Sequence, residues 1–116
     1  MAIILKLKNK NANDIIDEIY HLINDGTIRV WEYDSEGDFT HSSSQWNKLS
    51  WFRHYISNEG DNWDLKFGII GNKNFEMSRA LYGIYHGRFA EMLLTYFDNY
   101  IERFIITPMK DEKDLF

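Results

Sequence analysis

The sequence predicts an α+β domain, a mainly antiparallel sheet with two helices on one face, in the ferredoxin-like order β-α-β-(insert)-β-α-β. Three observations carry that expectation. The segments at 3–8 and 63–69 alternate apolar and polar residues at the strand period. The segments at 14–23 and 75–99 repeat apolar residues at helical spacing. The chain has 116 residues, 44% of them hydrophobic, which is enough for one core.

The first strand places Ile3, Leu5 and Leu7 on one face and Ile4, Lys6 and Lys8 on the other. Asn13 is the expected N-cap of the first helix, with Asp14, Asp17 and Glu18 near its positive end. Ile15, Ile16, Ile19, Tyr20 and Ile23 form its apolar stripe, and Gly26 suits the left-handed position after it. A second strand is expected over 27–34, with Ile28 and Val30 toward the helices and Trp31 and Tyr33 on the open face. Asp34 to Asp38 is a turn, and Phe39 to His41 a hairpin partner. Residues 42–62 are expected to be an irregular, aromatic-rich insert, with a short helix around Trp46, Leu49, Phe52 and Ile56 and a turn at 58–62.

Asn74 is the expected cap of the helix at 75–99. Met77, Ala80, Leu81, Ile84 and Tyr85 form one apolar set on it, and Phe89, Met92, Leu93, Tyr96 and Phe97 a second. At about 100° per residue the second set is turned by roughly a third of a circle from the first. A kink near Gly87, or two different neighbours, would account for that. A last strand over 101–107 ends at Pro108, closing a domain of residues 1–109. Residues 110–116 read as a charged, mobile tail.

The charge balance, 13 basic against 18 acidic residues for a net −5, disfavours a phosphate backbone as partner. The chain has no cysteine, so disulfide and thiolate chemistry are excluded. No basic segment precedes the first apolar run, and no apolar run approaches the roughly 20 residues of a membrane-spanning helix. A cytoplasmic protein without a membrane partner is expected. The abundance of Ile, Asn and Lys points to a low-GC genome, bacterial or phage.

Motifs with chemistry are sparse. Asp34, Glu36 and Asp38 crowd carboxylates into one turn, but an EF-hand loop needs Gly at its sixth position and Glu at its twelfth. Here those positions hold Phe39 and Gln45, so no metal site is assigned. His41 followed by Ser42, Ser43 and Ser44 lacks the strand–turn–helix setting of a nucleophile elbow. The run Lys66 to Ile70 lacks the first Gly of an RNA-recognition strand. His86, Arg88 and Glu91 are the most suggestive set. Arg88 and Glu91 can pair at i, i+3, whereas His86 lies about 160° around the helix from Arg88. Gly83, Gly87 and Ala90 beside them suggest close packing.

Aromatic residues make up 16% of the chain, an unusual density for one small core. Two functional expectations follow. The first is a non-enzymatic protein-interaction module, a homodimer or a partner-binding inhibitor type, built on Trp31, Tyr33, Trp46, Trp51 and Tyr55. Such side chains are enriched at binding hot spots. The second is a small enzyme or ligand-binding protein with a pocket at the long helix around His86 and Arg88, with Glu91, Tyr85 and His54 nearby. Neither expectation calls for a cofactor.

Overall fold

The computed structural model describes residues 2–56 and 63–116. The turn expected at 58–62 lies outside the described residues. The element order is β1 (Ile3–Leu7), α1 (Ala12–Asn24), β2 (Trp31–Tyr33), β3 (Phe39–His41), β4 (Ser50–Ile56), β5 (Asp64–Gly71), α2 (Arg79–Phe97) and β6 (Ile101–Ile106). The strands form one six-stranded antiparallel sheet in the order β2-β3-β4-β5-β1-β6.

The α+β class and the antiparallel sheet agree with the sequence reading, and the two helices are consistent with a two-layer sandwich. The four-strand ferredoxin-like order is not established, because the sheet has six strands. The difference arises in the middle of the chain. Residues 50–56, expected within an irregular insert, form β4, which pairs with β5 along its whole length. Its residues alternate: Phe52 packs inward, while Trp51, Arg53 and Tyr55 fall on the opposite face. Among the described residues of the insert, 43–49 keep the turn character expected of it.

The core lies between the sheet and the helices. Ile3, Leu5, Phe52, Leu65, Phe67 and Ile69 from the sheet join Ile15, Ile19, Tyr85, Phe89 and Leu93 from the helices in one buried cluster. Phe89 is its hub: its ring stacks on Phe52 at 4.5 Å and meets Trp31 and Phe67 edge-on at 4.9 and 4.8 Å. Asn11, not Asn13, caps α1, its side chain accepting from the Asp14 N–H at 3.0 Å. Gly26 follows α1 at φ 82°, the left-handed conformation expected for it.

In α2 the cap is Ser78, whose hydroxyl accepts from the Leu81 N–H at 3.0 Å, so the helix begins one turn later than Asn74 implied. Its buried residues, Leu81, Tyr85, His86, Phe89, Met92, Leu93 and Phe97, follow one continuous helical stripe. The two differently directed apolar sets do not exist, because Ala80 and Tyr96 face outward. Gly83 and Gly87 are exposed, and a Cβ at either would meet nothing within 4 Å, so close packing does not explain them.

Within the charged tail expected at 110–116, residues 114 and 115 lie along β5. Leu115 bridges to Ile70 in parallel, and Asp114 is 4% exposed. Among the described residues no helix is long and apolar enough to cross a membrane.

Candidate functional site

The structure separates the residues that the sequence grouped. Trp31, expected on the open face, is 1% exposed and packs edge-on to Phe89, Tyr85 and His41. Val30, expected inside, is 51% exposed. Ile28 is buried as expected, so the inward and outward faces are exchanged only from Val30 onward. Tyr33 turns toward α1, its ring edge-on to Tyr20 at 4.7 Å and its hydroxyl donating to Asn24 Oδ1 at 2.7 Å. Trp51 and Tyr55 lie half-buried on the open face of β4, and the Lys113 ammonium sits 4.7 Å from the centroid of the Tyr55 ring. Trp46 is half-buried in the turn before β4.

His86 is 2% exposed. Its Nδ1 lies 2.7 Å from the Tyr82 carbonyl, and its ring meets Phe52 edge-on. It belongs to the core stripe of α2 and does not join Arg88 and Glu91, which remain exposed and paired at 3.5 Å. His54 is likewise drawn inward. Burial lowers its pKa, and its Nδ1 has no hydrogen-bond partner among the described residues.

The acidic turn is held by Arg53. Its Nε donates to Asp38 Oδ1 at 3.0 Å and its Nη2 to Asp38 Oδ2 at 2.8 Å, with Glu36 Oε2 at 3.2 Å from the same nitrogen. Asp34 Oδ1 accepts from the Glu36 and Asp38 N–H groups, which closes the turn. Among the described residues no group of three or more His, Asp and Glu side chains is arranged to hold a metal ion. Asp38 is buried and Arg53 is its counter-charge, so Arg53→Met leaves a carboxylate without compensation. The expected loss is about 2 kcal/mol in urea unfolding, below the roughly 3–5 kcal/mol of a fully buried pair because Arg53 keeps contact with solvent.

What the fold does bring together is His41 with Arg88 and Glu91. They line a cleft of about 400 Å³ between the second half of α2, the segment 28–30 and the turn after β3. Ile28, Val30, Trp46, Met92 and Tyr96 supply apolar wall, and Arg29, Ser43 and Thr95 add polar groups. The volume falls within the range of small-molecule sites, about 300–1,000 Å³.

His41 is the polar residue most committed to this cleft, at 8% exposed. It reaches the position because β3 pairs Trp31 opposite His41 at the edge of the sheet, under α2. Its Nδ1 accepts from the Ser43 N–H at 3.2 Å, with Ser43 Oγ at 3.0 Å. In the neutral ring the proton therefore sits on Nε2. No described residue hydrogen-bonds Nε2. Burial lowers the pKa of His41, Arg88 lowers it further, and Glu91 opposes them.

The sequence reading weighed His41 only as the neighbour of three serines. Its convergence with Arg88 and Glu91 is a tertiary contact, and the one sequence signal for the site was the Arg88 and Glu91 pair. No protein-family profile, curated protein or solved structure matches this chain.

Proposed function

We propose that this chain is a ligand-binding domain whose recognition site is the cleft at His41, Arg88 and Glu91. The observation that carries this reading is a histidine more than nine-tenths buried, lining a part-apolar cleft with one ring nitrogen free of protein partners. That nitrogen is open to solvent rather than sealed off, and a directed donor beside apolar wall is a place where a ligand atom can replace water. The reading keeps the expected pocket on the long helix but moves its histidine from His86 to His41. It is a reading of binding. The Ser43 hydroxyl lies against the same His41 nitrogen that accepts Ser43's own N–H, which is a local turn contact.

A fragment screen followed by amide NMR tests it. Neutral and ionised fragments are expected to shift the amides of Val30, Ser43, Arg88 and Met92 as one group. A screen in which no fragment moves that group overturns the reading.

A second reading, a protein partner or a second copy of the chain on the same surface, is favoured by Val30 and Tyr96, which are large, apolar and exposed. It replaces the reading built on the open-face aromatics, since Trp31 is occupied in the core. It predicts a concentration-dependent rise in mass by light scattering that Tyr96→Arg abolishes.

A further inference from the structure

The geometry points to an amphipathic carboxylic acid as the ligand of the His41 cleft, its carboxylate bridging His41 Nε2–H and the Arg88 guanidinium and its apolar body lying on Ile28, Met92 and Tyr96. This inference rests on the ligand-binding reading above and adds the chemical class.

Charge decides between anions. The cleft holds Arg29 and Arg88 against Glu91, one net positive charge on a chain whose total is −5. It is a local cationic site on an acidic protein, and it matches one negative charge. Glu91 Oε2 sits 3.5 Å from Arg88 Nη1, so a dianion such as phosphate meets a carboxylate already beside its counter-charge. Arg29 has its Nε committed to the Gly26 carbonyl at 3.1 Å. His41 contributes a directed donor, because the Ser43 N–H holds the ring through Nδ1.

The apolar wall decides between acids. Ile28 and Met92 line the cleft as buried residues, and Val30 and Tyr96 line it as exposed ones. Apolar surface of that kind rewards a hydrocarbon or aryl group and gives nothing to a small hydrated anion such as acetate.

Binding should also take up protons. The charged and titratable groups facing His41 are Arg29 from the 28–30 segment and Arg88, Glu91 and Tyr96 from α2. A bound carboxylate adds an anion to that set and favours the imidazolium, whose second proton goes to Nδ1 and is donated to Ser43 Oγ, 3.0 Å away, in place of the contact with the Ser43 N–H. Affinity then rises as pH falls toward the His41 pKa, for as long as the acid stays ionised.

The test titrates the full chain with phenylacetate and with phenylacetamide, its neutral isostere, following the Ser43, Arg88 and Met92 amides by NMR. The acid is expected to bind about tenfold tighter, the size of one charge-assisted hydrogen bond in a part-exposed site. Arg88→Gln, at an exposed helix position where folding is not at stake, is expected to lower the acid's affinity about tenfold and so remove that preference. His41→Gln is expected to remove the pH dependence. Equal binding of acid and amide, or no binding of the acid, overturns the carboxylate inference. Neutral fragments that still shift the cleft amides would then leave the ligand-binding reading standing, and their failure would remove both.

Discussion

Phe89→Ala is expected to cost about 4 kcal/mol, the largest loss of any single truncation argued for this chain. Phe89 has no solvent exposure and contacts the rings of Phe52, Trp31, Phe67 and Phe39. These rings come from β4, β2, β5 and β3, so one side chain of α2 contacts four strands of the sheet. Truncation removes the ring contacts and leaves a cavity bounded by rigid aromatic planes, which cannot collapse easily to fill it. For a domain with a typical 5–15 kcal/mol of stability, a large share of the total is lost, and the melting temperature should fall by roughly 15 °C. Phe89→Leu keeps most of the volume and should cost under about 2 kcal/mol. Thermal unfolding of the two variants checks the argument. Similar modest losses for both would mean that the ring cluster does not organise the core.

The same cluster shows why part of the fold was legible in the sequence and part was not. β1, α1 and β5 have clean periodicity because each buries one face against a single neighbouring layer. The segment leading into β2 defeats that reading. Ile28 and Trp31 are both buried although they are an odd number of residues apart, because regular pairing begins only at Trp31. Irregular backbone before the strand shifts its parity by one, and a shift of one exchanges every inward side chain for an outward one. β4 was legible and was misread. Ser-Trp-Phe-Arg-His-Tyr-Ile is rich in aromatic residues and alternates, which favours a strand over the helix that the spacing of Trp46, Leu49, Phe52 and Ile56 suggested. The site was only half visible. Arg88 and Glu91 are helical neighbours, whereas their meeting with His41 depends on where the edge of the sheet passes under α2.

The segment 110–116 illustrates the other limit, since a charged composition says nothing about where one particular carboxylate goes. Asp114→Ala is expected to cost about 3 kcal/mol and to release this segment from the sheet. Strand β1 pairs no further along β5 than Ile3 opposite Phe67, which leaves the edge of β5 beyond that point without a strand neighbour in β1. Residues 114 and 115 occupy it. The Leu115 N–H donates to the Ile69 carbonyl at 2.7 Å, and the Gly71 N–H donates to the Leu115 carbonyl at 2.9 Å. The Asp114 carboxylate accepts from the Ile69 N–H at 3.1 Å, from the Tyr82 hydroxyl at 2.9 Å and from the Asp111 N–H at 2.8 Å. It therefore connects β5, α2 and its own turn. Removing it strands the Ile69 N–H, a buried donor, and unmet buried donors cost more than the bonds themselves contribute.

Gly68 gives an independent route to the same state, because a Cβ there would collide with the Lys113 carbonyl oxygen. Gly68→Ala should displace the segment while leaving Asp114 intact. In both variants hydrogen exchange at the Gly71 amide should rise well above that at Phe67, which β1 still covers. Acid should act in the same direction. The Lys66 side chain, the Lys113 N–H and the Lys66 charge hold the Asp111 carboxyl below its ordinary value. A carboxyl depressed on folding contributes in full above its unfolded pKa, about 4, and that contribution fades as pH falls toward the folded value. Docking of the segment should therefore weaken in acid at a higher pH than the loss of β1 from β5. Exchange at Gly71 that stays slow in both variants would show that the edge of β5 is protected without it.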